Sequence, residues 1–114
     1  LIRAEKLQDK ARKAGFDWPD LAPALDKLDE EVEELRRAAQ GDGDPQEELG
    51  DLLFAAVKAG RFLHVDSEQA LTQACEKFIR RFRAVERLAQ GESLDQMELS
   101  QLEELWAQAK QQEG

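Results

Sequence analysis

Apolar residues along this chain recur at intervals of three and four, and no stretch alternates as a strand does. The pattern predicts an all-α fold of about five helices. Helix A covers about residues 2–14 and stops at Gly15. Helix B covers about 20–40, with Pro23 in the first turn, where a missing N–H costs no hydrogen bond. Gly41-Asp42-Gly43-Asp44-Pro45 is a dense run of helix breakers and predicts a tight connection. Helix C covers about 46–63. Helix D runs to about residue 89 with Ser67 as its cap. Residues 91–96 read as a looser link, and helix E covers about 98–111. Short connections imply antiparallel neighbours, so B, C and D are expected to form an up-down bundle.

At about 100° per residue, the apolar stripe of helix B is Leu21, Leu25, Leu28, Val32 and Leu35. Glu31 lies at its edge, Glu34 a little further round, and Lys27 beside them, while Glu30 and Glu33 point further away. The stripe of helix C is Leu49, Leu52, Ala56 and Leu63, again with Glu48 at the edge and Asp51 further round. Ala55, Ala59 and Phe62 extend the acidic side, so helix C is apolar nearly all round and is expected to be buried. Glu31 with Glu34, and Glu48 with Asp51, are i, i+3 pairs that share one side of a helix. Folding the two helices back on each other brings four carboxylates together. Like charges at that density raise one another's pKa unless a cation is present. Hard oxygen donors suit Mg²⁺, with Mn²⁺ as a substitute. The alternative is a solvated acidic face, with the acids opening helix C answering its dipole. A di-iron bundle needs Glu-x-x-His motifs. The single histidine, His64, follows the end of helix C and belongs to none.

The net charge of −9 excludes a generic binder of nucleic-acid polymer or anionic membrane, which needs a basic face. A small phosphorylated ligand stays possible because local charge can oppose the total. Helix D supplies such a locality: Lys77, Arg80 and Arg81 share a side, followed by Arg83 and Arg87. Arginine forks match phosphate oxygens and lysine adds a point charge; the alternative is pairing with acids on neighbouring helices. Trp106 and Lys110 lie at i, i+4 on helix E, where an indole can stack on a base while the ammonium meets a phosphate. Packing beside Leu99, Leu102 and Leu105 is the alternative there. Trp18 is expected to pack at the corner between A and B. Cys75, the only cysteine, sits among core positions, excludes an intramolecular disulfide and fits a reducing cytoplasm. The longest apolar run, 52–57, is too short to span a bilayer. At 114 residues the chain reads as one domain, 1–114, small enough that oligomerisation would help bury its surface.

In order, the chain carries E-E-x-x-E on one helix, E-x-x-D on the next, then E-K-F-x-R-R-F-R, then W-x-x-x-K. With Gly15-Phe16-Asp17-Trp18 and Glu48-Leu49-Gly50-Asp51-Leu52-Leu53-Phe54-Ala55, this combination resembles the MazG nucleoside triphosphate pyrophosphohydrolases over nearly the whole chain. It looks most like the C-terminal MazG domain of the long bacterial two-domain form, which agrees with a start at Leu1 rather than Met. The resemblance implies an all-α NTP pyrophosphatase bundle completed as a homodimer. It implies magnesium-dependent cleavage of a broad range of nucleoside triphosphates to monophosphate and pyrophosphate, a housekeeping role in the nucleotide pool. It implies metal ligands at Glu31, Glu34, Glu48 and Asp51 and further acids at Glu30 and Glu47. Nucleotide contacts are implied at Lys27, Lys77, Arg81, Trp106 and Lys110, with Arg80 beside them. One departure stands out: relatives can carry a lysine just before the second acidic motif, where this chain has Asp44.

The expected chemistry is metal-assisted phosphoanhydride hydrolysis. Glu30 or Glu47 would orient or deprotonate the attacking water. The competing readings are a non-catalytic helical dimerisation module and a related pyrophosphatase restricted to dUTP or dCTP.

Overall fold

The computed structural model describes residues 1–17 and 19–113, so the expectation for Trp18 lies outside the described residues. Five α-helices follow in order: α1 Ile2–Lys13, α2 Leu21–Ala39, α3 Pro45–Phe62, α4 Ser67–Leu88 and α5 Leu99–Gln112. A short 3₁₀ turn, Leu94–Gln96, occupies the link before α5, and no strand occurs among the described residues. No helix among the described residues is long and apolar enough to cross a membrane. The chain divides into two compact units, Leu1–Ala70 and Leu71–Gly114.

Local chemistry sets the helix ends. The Asp20 side chain accepts from the Ala22 N–H at 3.1 Å and the Asp44 side chain from the Gln46 N–H at 3.0 Å, satisfying free donors of α2 and α3. Pro45 opens α3, where its locked φ suits the first turn. Helices α1, α2 and α3 end alike, with a left-handed residue whose N–H bonds back two carbonyls before the cap. Gly15 and Gly41 fill that position after α1 and α2. After α3 it falls to His64, at φ 58°. A side chain there costs about 1 kcal/mol or more relative to glycine. His64→Gly is therefore expected to raise stability by roughly 0.5–1 kcal/mol, read as a higher urea midpoint with an unchanged m-value.

The start of α4 differs from expectation. Ser67 is its first helical residue, and the cap is Asp66, whose carboxylate accepts from the Gln69 N–H at 3.1 Å. The Ser67 N–H donates to Glu5 of α1 at 2.7 Å. Two carboxylates thus take the role expected of one hydroxyl, and a negative charge suits a helix N-terminus better than a neutral group.

In the first unit, α2 and α3 pack along their lengths as an antiparallel hairpin, and α1 lies against α3. The buried line of α2 is Ala24, Glu31 and Ala38 at heptad spacing. Its expected core residues Leu25 and Val32 are instead exposed, at 42% and 36%. Helix α3 buries Ala55, Val57 and Ala59 while Leu49, Ala56 and Leu63 of the expected stripe stay exposed. Small residues on the seam let the helix backbones approach closely. This choice leaves much leucine and phenylalanine surface uncovered in the single chain, including Leu53 and Phe54. Helix α1 is tied to α3 by the buried Gln8, whose amide donates to the Phe54 carbonyl at 2.9 Å. The loop after α1 is tied by Asp17, whose two oxygens accept from Arg61 at 3.0 Å each.

In the second unit, Ala84, Val85 and Ala109 form a small core with Leu88, Leu94, Leu105 and Trp106 around it. Helix α5 opens with reciprocal capping between Glu98 and Gln101, which satisfies two free donors. The first half of α4 is different: every residue from 71 to 80 is exposed in the single chain. Cys75 is therefore exposed and not the core filler expected from its neighbours, because the turns around it bury nothing.

Candidate metal and substrate site

The facing turns of α2 and α3 bring carboxylates together. Glu31, Glu34 and Glu48 each offer one oxygen, and the three oxygens lie within 4.8 Å of one another. Glu31 is buried, and Glu34 and Glu48 are half-buried. One oxygen of Glu31 and one of Glu48 are enclosed with no hydrogen-bond partner. A buried carboxylate oxygen without a donor is costly. The Glu48 carboxyl is pushed above its ordinary 4.5, first by a hydrogen bond with Glu34, then by burial, then by the charges of Glu34, Asp51 and Glu31. Clustered hard oxygens, on residues of which Glu31 and Glu48 each also hold an orphaned oxygen, fit a divalent cation such as Mg²⁺ or Mn²⁺.

One cation is already in place on the protein side. Lys27 meets Glu31 at 2.9 Å and the exposed Glu30 at 3.6 Å. Its pKa is raised above 10.5, chiefly by the hydrogen bond to Glu31, so it stays charged. Beside this pair lies a cavity of about 360 Å³ lined by Lys27, Glu31, Asp51, Phe54, Ala55 and Lys58. Asp51 is exposed on that wall, and the closest carboxylate cluster is made by the other three acids. Glu47 is exposed in the first turn of α3. Lys58 was not among the residues the sequence pointed to. The available signal is its position seven residues after Asp51, on the same side of α3.

Lys77, Arg80, Arg81, Trp106 and Lys110 belong to the second unit. Arg81 donates from Nε to Glu113 at 2.6 Å, and Arg80 lies 4.0 Å from the same carboxylate. Lys77 and Lys110 are exposed. Trp106 packs on Phe78 with ring centroids 5.3 Å apart and lines an apolar cavity of about 550 Å³ with Phe82, Val85 and Leu102. Its packing and its access to an open apolar wall are therefore both real.

Because Glu48 holds its proton more tightly than usual, a cation must displace it. The proton's contribution to stability is present at low pH and lost as pH rises through the raised pKa. Stabilisation by added Mg²⁺ should run the opposite way. Its effect on Tm is expected to be small in acid and to grow as pH rises through the Glu48 titration, as a pH series of thermal melts would read. An Mg²⁺ effect independent of pH would count against Glu48 as a ligand.

The MazG nucleotide pyrophosphohydrolase domain family matches residues 22–86, which carry both acidic motifs and the basic run of α4. The chain is 44% identical to the nucleoside triphosphate pyrophosphohydrolase of Escherichia coli K12, covering 99% of this chain and 45% of that protein. It is 41% identical to the nucleoside triphosphate pyrophosphohydrolase/pyrophosphatase MazG of Thermotoga maritima, covering 96% and 44%. Over 58% of its length it is 43% identical to the uncharacterized protein YabN of Bacillus subtilis, of which it covers 14%. The chain thus spans about half the length, or less, of the curated relatives it matches. With the family's match running from the first turn of α2 almost to the end of α4, this chain belongs to the MazG nucleotide pyrophosphohydrolase domain family.

Proposed function

We propose that this chain is a nucleoside triphosphate pyrophosphohydrolase domain that cleaves a broad range of nucleoside triphosphates to monophosphate and pyrophosphate, using Mg²⁺. The observation that carries the reading is the oxygen cluster of Glu31, Glu34 and Glu48 with its two enclosed, unpartnered oxygens. Those three residues would hold the cation, with Asp51 beside them. A divalent cation there supplies Lewis acidity towards phosphate oxygens and makes a water easier to deprotonate. The protein's own part is to orient and to move protons. Lys27, fixed by Glu31, presents a permanent positive charge to a phosphate oxygen. Glu30 and Glu47 are exposed carboxylates next to the cluster's residues in sequence, suited to take the proton of the attacking water. To Lys77, Arg80, Arg81 and Lys110 we assign phosphate binding, and to Trp106 stacking on the base, on the strength of the family motif.

The same reading makes the chain one MazG-like domain of a longer two-domain protein, acting in the cytoplasm. It also makes the chain a homodimer. The uncovered Leu25, Leu49, Leu53, Phe54, Phe78 and Phe82 support that, because so much large apolar surface is unusual on a monomer of this size. Sedimentation velocity reads the dimer directly.

The test of the reaction is product analysis on a panel of nucleoside triphosphates with Mg²⁺. Monophosphate and pyrophosphate in equal amounts are expected. Diphosphate and phosphate, or no turnover of any nucleotide by the folded protein, would overturn the reading.

A further inference from the structure

The cavity beside the carboxylate cluster is lined by charges of both signs, the carboxylates of Glu31 and Asp51 and the ammonium groups of Lys27 and Lys58. We propose that Lys58 is a substrate-binding residue that takes a phosphate oxygen of the triphosphate, in the same cavity that Lys27 lines. This deepens the reading above and rests on it.

The argument begins with helix geometry. Asp51, Ala55 and Lys58 follow one side of α3 at i, i+4 and i+7. Side chains of an α-helix lean towards its N-terminus, so the Lys58 stem leads back over Ala55 towards Asp51 and the carboxylate cluster. Ala55 is buried and small, which leaves space above it for a ligand. Lys58 is half-buried and lines the cavity. Electrostatics point the same way. The charged lining consists of Lys27, Glu31, Asp51 and Lys58, two positive and two negative groups. Without Lys58 the lining is net negative and repels the polyanion it is to receive.

The probe is inorganic tripolyphosphate with Mg²⁺, which carries the phosphate chain and no base, titrated into the full chain by calorimetry. Lys58→Gln is expected to bind it about 10-fold more weakly, the loss of one charge-assisted contact. Lys58→Met, which keeps the apolar stem, should do the same, and Lys58→Arg should stay near wild type. Mn²⁺ binding without phosphate, followed by electron paramagnetic resonance, should be at least as tight in Lys58→Gln as in wild type; a merely structural role for Lys58 would weaken both. With nucleotide, KM should rise more than kcat falls. Equal tripolyphosphate affinity in wild type and Lys58→Gln would overturn the inference, and so would no binding by wild type. Binding that depends on Lys58, in a protein releasing no pyrophosphate from any nucleotide, would leave the inference standing and sink the proposed reaction instead.

Discussion

Glu48→Gln is expected to lower kcat/KM by about a thousand-fold, roughly 4 kcal/mol of transition-state stabilisation. The substitution changes almost no volume. It removes one negative charge from a cluster whose three oxygens lie within 4.8 Å. A neutral amide oxygen is a poorer ligand for Mg²⁺ than a carboxylate, and its NH₂ group repels a cation. The fold should not suffer. The neighbouring acids and burial hold the Glu48 carboxyl above its ordinary pKa, so a neutral side chain of the same shape relieves repulsion in the cation-free chain. The expected pattern is thus an unchanged or slightly higher Tm without metal, no further rise with Mg²⁺, and kcat/KM down by about a thousand-fold. A variant that keeps more than about a tenth of wild-type activity would show that the cation is held elsewhere. A variant that loses activity and also unfolds would mean that Glu48 matters for packing instead, against the orphaned oxygen it carries.

Arg61→Ala should destabilise the fold by about 2–3 kcal/mol, or roughly 10 °C in Tm for a domain of this size. The Arg61–Asp17 pair is bidentate at 3.0 Å, and its side chains are only 18% and 14% exposed. A pair so enclosed loses little to solvent screening, and removing one member breaks two charge-assisted hydrogen bonds at once. Arg61→Lys should recover less than half of the loss, because an ammonium cannot span both oxygens in a fork. A double-mutant cycle with Asp17→Ala isolates the interaction, with an expected coupling above about 1 kcal/mol. Additive effects would show that Arg61 acts through packing alone. The pair also gives the Gly-Phe-Asp segment a physical purpose. Gly15, at φ 90°, turns the chain out of α1, and two residues later Asp17 anchors it to the end of α3. The helix bearing Asp51 and Lys58 is held against α1 in this way.

Much of the candidate site was legible because its information is local. Glu31 and Glu34 share a helix side whatever surrounds them, and so do Glu48 and Asp51. The Gly41–Pro45 breakers allow only a short return, which obliges the two helices to run antiparallel. The missed residue, Lys58, carries no motif. Only the fold places it in the lining of the same cavity as Lys27 and Glu31.

By itself the sequence determined the helices, the order of the acidic and basic runs and the kind of atom offered to a ligand. All of these follow from backbone preferences and spacings within a few residues. Tertiary structure alone decided which side of each helix turns inward. Periodicity marked Leu25 and Val32 for the core of α2, and the seam took Ala24, Glu31 and Ala38 instead. A stripe only states that a face is apolar, whereas burial depends on how closely the neighbouring backbone can approach and whether an inward charge finds partners. For Glu31 that partner is Lys27 on its own helix, at 2.9 Å. The cap of α4 by Glu5 and the clamp of Asp17 on Arg61 likewise join groups 62 and 44 residues apart. No local pattern encodes such pairs, because they form only when packing brings distant turns together.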